Sequence, residues 1–421
     1  MAVVVVMGLG YVGMPLALTM AKAGHHVTGV DIDAERVGTV LAGISPVDGV
    51  RDEDVQDALA ASFTATTQPD ALANCEVVLI CVPTGLGRDG LPDLNAVEGA
   101  ARAVGEWITA GTLVVLVSTS WPGTTREVIL PAVVGRGLTV GEDVWVAVSP
   151  ERGSPGEPTL AIARTPRVVG GITPSCAGRA SAFLETFSDR VVVAAGAAEA
   201  EMSKLLENTF RLVNVALVNE LLPACHDLGI DLWDAVDCAS SKPRGFMEFR
   251  PGPGAGGHCI PVDPVYLSEH VRGTLGVPLR MVETALEANR QAPQYVARRA
   301  RDALAGEGRP VDGARVLLLG ASYKPGVGDT RCSAAEPVAR TLGAWGACVS
   351  FHDPHVHDWR PDVDAPAPAR VDDPYGAARE ADLTILLQDH REYDLERLRV
   401  AAGLLLDTRG ALRGRPGVDV I

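Results

Sequence analysis

The stretch that decides the fold is VVVVMGLGYVG, residues 3–13. Its apolar, β-branched start predicts a buried strand, and Gly8, Gly10 and Gly13 follow with the spacing GxGxxG. Glycines at these positions permit a tight turn and let a pyrophosphate approach the N-terminus of the next helix. Asp31 ends the second predicted strand, with no arginine directly after it, and a carboxylate there accepts from ribose hydroxyls and repels a 2′-phosphate. The stretch therefore predicts a Rossmann dinucleotide site that prefers NAD to NADP.

Strand-length apolar runs recur on both sides of a helical middle. They are residues 26–30, 77–82, 113–118, 145–149, 191–193, 315–319, 348–352, 383–387 and 404–407. Apolar strands separated by helix-length segments predict βαβ units and parallel sheets covered on both faces. Between them, residues 199–228 carry Leu205, Leu206, Phe210, Leu217 and Leu221 at helical spacing, which predicts one long buried helix.

The fold class predicted from this order is α/β, with two Rossmann-like doubly wound domains joined by a central helical region. The predicted boundaries are 1–195 for the NAD-binding domain, 196–305 for the helical domain with a glycine-rich loop, and 306–421 for the second Rossmann-like domain. Within the last domain, residues 360–374 are rich in Pro, Ala and Asp and predict a solvated loop.

Composition narrows the possible partners. The chain has 421 residues, and 53 acidic against 37 basic side chains give a net charge of −16. Such a field repels phosphate backbones and anionic membrane surfaces. No apolar stretch is long enough to cross a bilayer, and the start lacks the basic residues of a signal peptide, so we expect a cytoplasmic protein that binds neither nucleic acid nor membrane. The eight cysteines form no CxxC pair, which favours reduced thiols.

Three groups of residues are candidates for chemistry. Cys259 lies in the glycine-rich segment RPGPGAGGHCIPVDP, residues 250–264, where a thiol is either a nucleophile, as thiolate, or inert. Lys204 and Asn208 share one helical face, and form either a salt bridge and a core hydrogen bond or a cationic site over a substrate oxygen. For the histidines of HDPHVH, residues 352–357, the spacing identifies no supporting carboxylate or other partner, so we predict no metal site.

Several longer motifs make the chain similar to a known family. They are SPERGSPG (149–156), ENTFR (207–211) with LVNE (217–220), SKPRGFMEFRPGPGAGGHCIPVDP (241–264) and LGASYKPGVGDTR (319–331). Together they resemble the UDP-glucose/GDP-mannose dehydrogenase family, over essentially the whole chain. His258 before the cysteine and Pro261-Val262 after it resemble the N-acetylhexosamine branch, meaning UDP-N-acetylglucosamine or UDP-N-acetylmannosamine 6-dehydrogenases.

The resemblance implies a role for each matching residue. Catalytic roles fall on Cys259 as nucleophile, on Lys204 and Asn208 as stabilisers of oxygen charge, on Asp263 and Thr119 as residues that position or activate water, and on Glu151 as acid–base carboxylate. Lys204 is left as either electrostatic stabiliser or proton acceptor. Cofactor contacts are implied for Gly8, Gly10, Tyr11, Val12, Gly13, Asp31, Pro83, Thr84, Thr119 and Arg331. Substrate contacts are implied for Glu151, Arg152, Lys204, Asn208, Arg211, Phe249, Gly256 and Lys324, with UDP largely on the last domain.

The implied reaction is oxidation of a sugar C6 alcohol to a carboxylate with NAD. It removes four electrons, so two hydrides leave the same carbon, and a cysteine can hold the aldehyde as a thiohemiacetal that becomes a thioester. The alternatives are UDP-glucose 6-dehydrogenase, a two-electron hydroxy-acid dehydrogenase that needs no cysteine, and an inactive nucleotide-sugar binding protein. The family also implies a homodimer or higher homo-oligomer.

Overall fold

The structure is a computed structural model that describes residues 1–135, 137–153, 164–361 and 367–421. It separates into two compact units, Met1–Glu207 and Asn208–Ile421. Among the described residues, no helix is both long enough and apolar enough to cross a membrane. The predicted division into three domains at residues 195 and 305 stays a prediction.

The first unit is built on an eight-stranded sheet with the order β3-β2-β1-β4-β5-β6-β7-β8. Its strands are β1 Val3–Met7, β2 His26–Val30, β3 Phe63–Thr66, β4 Val77–Ile80, β5 Leu113–Leu116, β6 Trp145–Val148, β7 Arg167–Gly171 and β8 Val191–Val193. All pairs are parallel except β6 with β7. Because β2 and β4 lie on opposite sides of β1, the chain changes direction across the sheet at the carboxyl end of β1, where ligands bind in open α/β sheets.

Helices of the first unit follow the strands. They are α1 Gly13–Lys22, α2 Ala34–Leu41, α3 Asp52–Ala61, a 3-10 helix Pro69–Asn74, α4 Asn95–Trp107, a π-helical turn Thr125–Ile129, α5 Leu130–Val134 and α6 Pro174–Leu184. Local sequence fixes several starts: the Asp33 carboxylate accepts from two backbone N–H groups of α2, and the Thr173 hydroxyl accepts from that of Cys176 in α6. The core beneath them is formed by the valines and leucines of the strands.

The long helix α7, Ala197–Asp227, begins in the first unit and continues into the second. The second unit then contains α8 Leu232–Ser240, α9 Asp263–Leu275, α10 Arg280–Gly306, α11 Ala335–Ala344, α12 Pro374–Glu380 and α13 Leu395–Ala401. Its sheet has the order β11-β10-β9-β12-β13-β14, from β9 Arg315–Leu319, β10 Cys348–His352, β11 Ala369–Arg370, β12 Leu383–Leu386, β13 Leu405–Asp407 and β14 Val418–Val420. Every strand pair in this sheet is parallel.

The predicted fold class, two Rossmann-like sheets with a helical region between them along the chain, is confirmed. The predicted long helix also exists, but its burial was predicted wrongly. Leu206, Phe210, Leu217 and Leu221 are 58%, 47%, 53% and 44% exposed, whereas Leu205 is fully buried. Helical spacing places the four exposed residues on one side and Leu205 on another, so the helix has two apolar faces and only one is covered by its own chain.

Two predicted segments fall partly outside the described residues. Of the predicted loop at 360–374, residues 362–366 lie outside them, and the remainder is not all loop. Ala369–Arg370 pairs with β10, and Pro374 begins α12. The motif at 149–156 is described only up to Gly153.

Candidate active site

The glycine turn lies between β1 and α1, at the carboxyl edge of the first sheet. Gly8 has φ +92°, a conformation that side chains resist, and a Cβ at Gly13 would lie 1.8 Å from the carbonyl oxygen of Gly8. The backbone N–H of Leu9 donates to Oδ2 of Asp31 at 2.8 Å. The turn is therefore tight, free of side chains at its closest approach, and fixed to the acid of β2, as a dinucleotide site requires. These residues fit NAD.

Arg36 is a neighbour of Asp31 that the sequence analysis missed. Its Nε lies 4.0 Å from Oδ2 of Asp31 and 3.8 Å from Oδ2 of Asp33. The arginine follows Asp31 by five residues, and α2, which begins at Ala34, turns it back toward the acid. A search over the first turn of α2, and not only the position after the acid, would have found it. The guanidinium is held by two carboxylates, and Asp31 remains beside the predicted ribose position.

The other predicted cofactor residues follow the carboxyl ends of neighbouring strands. Tyr11 and Val12 are half-buried in the turn after β1, and the Tyr11 hydroxyl lies 3.5 Å from Asp48. Pro83 and Thr84 follow β4, the first exposed and the second buried. Thr119 is half-buried after β5. Because parallel strands end at one edge, the structure brings these residues to the same edge of the sheet as the glycine turn.

Glu151 follows β6 and is held as a carboxylate. Its Oε1 accepts from the backbone N–H groups of Arg152 at 2.8 Å and Gly153 at 2.7 Å, and its Oε2 accepts from Arg167 Nη2 at 3.2 Å. Burial would raise the pKa of Glu151, but the Arg167 charge and these hydrogen bonds outweigh it and lower the pKa. At neutral pH this group can accept a proton but holds none to donate. Sequence spacing gave no signal for Arg167.

Arg152 is occupied by protein partners. Its Nη2 lies 2.6 Å from Oε1 of Glu207, its Nε donates to Oε2 of Glu207 at 3.2 Å, and its Nη1 donates to the Pro166 carbonyl at 2.7 Å. The bidentate ion pair between Arg152 and Glu207 fixes the turn after β6 to the last residue of the first unit. The predicted substrate contact of Arg152 stays a prediction.

Lys204 and Asn208 lie one turn apart on α7 and are 6% and 3% exposed. Nδ2 of Asn208 donates to Oδ2 of Asp263 at 2.5 Å. Asp263 is also buried and is the first residue of α9. The structure thus joins two of the predicted catalytic residues, which are far apart in sequence, through one hydrogen bond.

Cys259 is half-buried immediately before α9. Its carbonyl accepts from the backbone N–H groups of Val262 at 3.2 Å and Asp263 at 2.9 Å, which fixes the cysteine to the helix start. Burial, together with the charge of Arg331, lowers the pKa of the neighbouring His258, so its imidazole is neutral at neutral pH. The helix N-terminus favours negative charge near the cysteine.

The glycines before Cys259 lie against protein. A Cβ at Gly256 would lie 2.6 Å from the Cys332 carbonyl oxygen and 2.8 Å from Cβ of Tyr323. At Gly257, φ is +87°, the Tyr323 ring leaves no room for a side chain, and the N–H donates to the Arg331 carbonyl at 2.9 Å. The side chain of Arg331 forms an ion pair with Asp329 at 2.6 Å. At these two positions the close neighbour is the segment after β9. Packing against that segment is therefore sufficient to require glycine, and no ligand is needed to account for it.

The remaining predicted substrate residues lie on different elements of the second unit. Arg211 is exposed on α7, and Phe249 packs edge-to-face on Phe210 with ring centroids 5.9 Å apart. Lys324 is half-buried after β9, and its carbonyl accepts from the Ser322 hydroxyl at 3.2 Å.

Arg409 was missed by the sequence analysis. It follows β13, and its Nε donates to the Leu387 carbonyl, after β12, at 2.7 Å. Its Nη1 would lie 3.6 Å from a Cβ at Gly252, in the glycine-rich loop. A cation after a parallel strand, in the sequence DTR, is a signal that could have identified it.

His355, His390 and Glu392 place possible ligand atoms within 4.8 Å of one another. Both ring nitrogens of His390 already have partners, however. Its Nδ1 accepts from the Gly326 N–H at 3.2 Å, and its Nε2 lies 3.1 Å from Oδ2 of Asp353. Two ligands then remain, fewer than a structural or catalytic zinc site uses.

A glycine turn bonded to the acid that follows β2, and a second parallel sheet in the same unit as a half-buried cysteine, define the class as a dinucleotide-binding α/β enzyme with two Rossmann-like parts. Family models agree over most of the chain. The NAD binding domain of the UDP-glucose/GDP-mannose dehydrogenase family matches residues 2–188, its central domain residues 198–291, and its UDP binding domain residues 317–414.

Characterised relatives and solved structures agree with the family models. UDP-N-acetyl-D-mannosamine dehydrogenase of Yersinia pestis is 33% identical over 97% of this chain and 98% of its own. NDP-N-acetyl-D-galactosaminuronic acid dehydrogenase of Ralstonia solanacearum is 33% identical over 96% and 95%. The structure of UDP-D-ManNAc dehydrogenase from Pyrococcus horikoshii has a TM-score of 0.88 at 29% identity, over 99% of this chain and 98% of that one.

This chain belongs to the UDP-glucose/GDP-mannose dehydrogenase family. It is an oxidoreductase that uses NAD and acts on a UDP-sugar.

Proposed function

We propose that this protein oxidises the C6 alcohol of a UDP-N-acetylhexosamine to the carboxylate, with Cys259 as the nucleophile. The observation that carries the proposal is the setting of this thiol. Cys259 is half-buried four residues before α9 begins, and its carbonyl accepts from the Asp263 N–H at 2.9 Å. Oδ2 of Asp263 in turn accepts from Nδ2 of Asn208 at 2.5 Å. Hydrogen bonds thus connect a residue that bears a thiol, a carboxylate and an amide donor, and these are the groups that aldehyde capture and thioester hydrolysis need.

The reaction proceeds in three stages: oxidation of the alcohol, oxidation of the aldehyde on the cysteine, and hydrolysis. The C6 hydroxyl loses a proton and a hydride and becomes an aldehyde. Sγ of Cys259 adds to the aldehyde carbon to give a thiohemiacetal, which loses a second hydride and a proton to give a thioester. Water then attacks the thioester carbon and breaks the C–S bond, which releases the carboxylate and restores the thiol. Two NAD molecules, bound one after the other, would each accept one hydride, so two NADH are released per sugar.

The other residues act on one oxygen and one water. Lys204 and Asn208 stabilise the negative charge that develops on the C6 oxygen, and Lys204 serves either as a fixed cation or as a proton acceptor. Asp263 and Thr119 position the hydrolytic water. Glu151, whose pKa is lowered, contributes to the proposed chemistry as a proton acceptor and not as an acid.

The UDP moiety is assigned to the carboxyl edge of the second sheet. Lys324 after β9 and Arg409 after β13 supply two positive charges at that edge, which suits a diphosphate. Relatives named for N-acetyl-mannosamine and N-acetyl-galactosaminuronic acid favour an N-acetylated sugar. UDP-glucose is the second candidate, because a UDP-glucose dehydrogenase from Pyrobaculum islandicum has a TM-score of 0.88 at 27% identity, over 100% of this chain and 96% of that one.

The test is a substrate panel with NAD. Purified protein is given UDP-N-acetylmannosamine, UDP-N-acetylglucosamine, UDP-glucose and UDP-galactose, and the NADH released per sugar consumed is measured. We expect two NADH per sugar, with an N-acetylated sugar as the best substrate. One NADH per sugar would contradict the four-electron reaction and favour a two-electron dehydrogenase.

Cys259→Ser tests the thiol. A serine hydroxyl is a far weaker nucleophile, so acid formation should fall by about three orders of magnitude while UDP binding is kept. Cys332→Ser is the matched control, because Cys332 is exposed and its carbonyl lies against the same loop at Gly256. Equal loss in the two variants would mean that Cys259 is not the nucleophile.

We also propose that the protein is a homodimer formed through the exposed face of α7. Leu206, Phe210, Leu217 and Leu221 form an apolar stripe on that face. The nearby loop carries Phe246 and Met247, 42% and 62% exposed, which adds apolar surface that a second copy can cover.

A further inference from the structure

A buried amide on α10 holds the loop that carries Cys259. Asn289 is 9% exposed, and its side chain makes two hydrogen bonds with one residue of the loop, Ala255. The Ala255 N–H donates to Oδ1 of Asn289 at 2.7 Å, and Nδ2 of Asn289 donates to the Ala255 carbonyl at 3.0 Å. The side-chain amide therefore takes the place of a neighbouring strand and satisfies both backbone groups of a residue that belongs to no sheet.

The loop lies directly on this helix. A Cβ at Gly254 would lie 3.4 Å from the Asn289 carbonyl oxygen and 3.5 Å from Cδ of Pro293. Two residues after Ala255, the Gly257 N–H donates to the Arg331 carbonyl at 2.9 Å. The backbone is thus fixed on two sides just before Cys259, by α10 at residue 255 and by the segment after β9 at residue 257.

The helix that bears Asn289 is a rigid support. In its C-terminal half, Tyr295, Val296 and Ala300 are buried in the same core as Val316 and Leu318 of β9. A side chain on such an element transmits the position of the second sheet to the loop. The loop itself has few side chains that could define its path, since residues 252, 254, 256 and 257 are glycines.

We propose that Asn289 is a positioning residue for Cys259: it sets where the sulfur lies relative to the sugar aldehyde, and so controls thiohemiacetal formation more than the first oxidation. This inference rests on the proposed role of Cys259. A displacement of about 1 Å at a reacting atom lowers a rate by about a hundredfold, so removing one anchoring residue of the loop should lower the rate of acid formation measurably.

The experiment uses Asn289→Asp and Asn289→Ala in the full-length protein. Aspartate keeps an acceptor for the Ala255 N–H but sets a second oxygen against the Ala255 carbonyl, and alanine removes both bonds. Gln291→Ala is the matched control, because Gln291 is exposed on the same helix and its amide bonds to Glu287 of that helix. For each protein we measure thermal unfolding, the Kd for UDP, the KM for NAD, and kcat for acid formation with the panel's best UDP-sugar.

The decisive readout separates the two oxidations. Hydroxylamine traps the aldehyde that Cys259 has not captured as an oxime, and it converts the thioester to a hydroxamate. The summed rate of oxime, hydroxamate and acid formation in its presence therefore reports the first oxidation. Without hydroxylamine, we expect acid formation to fall about ten- to a hundredfold in both variants. The summed rate in hydroxylamine, the Kd for UDP and the KM for NAD should stay within about threefold of the unmodified protein. Gln291→Ala should match the unmodified protein in every measurement.

The following results would overturn the positioning role of Asn289. Unchanged acid formation in both Asn289 variants would mean that the two hydrogen bonds do not place the sulfur. Parallel loss of the summed rate in hydroxylamine, UDP binding and acid formation, or failure of both variants to fold, would mean that Asn289 supports the fold as a whole. Failure of the proposed function is seen separately, in the protein without substitutions at Asn289: one NADH per sugar, or full acid formation by Cys259→Ser.

Discussion

At the scale of single residues, function here depends on which neighbours each charged group has. The sequence was sufficient to identify Asp31, because the acid follows a strand and a glycine turn at fixed spacing. It was not sufficient to identify Arg36 beside that acid or Arg167 beside Glu151, at 4.0 Å and 3.2 Å. Each arginine reaches its partner through the folded backbone and not through sequence spacing. Arg36 is turned back toward Asp31 by the first turn of α2, and Arg167 lies on β7, which pairs antiparallel with β6.

Asp31 gives the first prediction at this scale. We expect its carboxylate to accept from the ribose hydroxyls and to repel a 2′-phosphate, so the protein should prefer NAD to NADP strongly. In Asp31→Asn the negative charge is gone and Arg36 loses one of its two acidic partners, which leaves it available to a 2′-phosphate. We expect the ratio of kcat/KM for NAD to that for NADP to fall about tenfold or more, measured by NADH and NADPH formation.

The control for this change is Glu35→Gln, which removes an exposed negative charge from the first turn of α2. It should leave the ratio unchanged. A ratio that is the same in Asp31→Asn and in the unmodified protein would contradict the assigned role of the carboxylate.

At the scale of elements, one buried carboxylate joins the ends of three strands in the second sheet. Asp353 follows β10; its Oδ2 accepts from the Ala321 and Ser322 N–H groups after β9 at 2.8 and 3.0 Å, and lies 3.1 Å from Nε2 of His390, after β12. The spacing within HDPHVH raises only the question of metal binding, because it does not reveal partners that follow other strands. The structure gives Asp353 a different task, which is to hold the edge where Lys324 lies.

Because of Asp353, we expect the free energy of unfolding to depend on pH. Burial alone would raise its pKa, but the His390 hydrogen bond and charge and the backbone N–H groups lower it, from the ordinary 3.8 to about 2. Because the pKa in the folded chain lies below that in the unfolded chain, the carboxylate stabilises the fold above about pH 4, and this contribution is lost as the pH falls toward 2. We expect Asp353→Asn to lower the free energy of unfolding at pH 7 by about 2 kcal/mol.

The measurement is urea unfolding of Asp353→Asn and the unmodified protein between pH 7 and pH 3. The difference between them should be constant near neutrality and shrink below about pH 4, because the carboxyl of the unfolded chain takes up a proton there while that of the folded chain stays ionised until about pH 2. Asp358→Asn is the control, because Asp358 has a highly exposed side chain paired with the exposed Arg360. A difference that stays constant down to pH 3 would exclude Asp353 as the titrating group.

At the scale of the whole molecule, the sequence predicted which helix is long but not which of its faces is covered. Apolar spacing over residues 199–228 is the same whether the partner is the chain's own sheet or another copy. Leu205 and Leu212 are fully buried, while Phe210 and Leu217 are about half exposed. Periodicity reports that a face is apolar, and only the packed structure shows what remains uncovered.

That uncovered face makes the oligomeric state testable. If a second copy covers the stripe, a charge placed in it loses water without gaining a partner and should dissociate the dimer. Leu217→Glu is the change, since Leu217 is 53% exposed at the middle of the stripe. We expect the unmodified protein to have the mass of a dimer by light scattering at micromolar concentration, and Leu217→Glu to have that of a monomer. Val400→Glu, at a residue 75% exposed on α13, should remain dimeric. A monomeric unmodified protein, or a dimer that survives Leu217→Glu, would mean that α7 is not the interface.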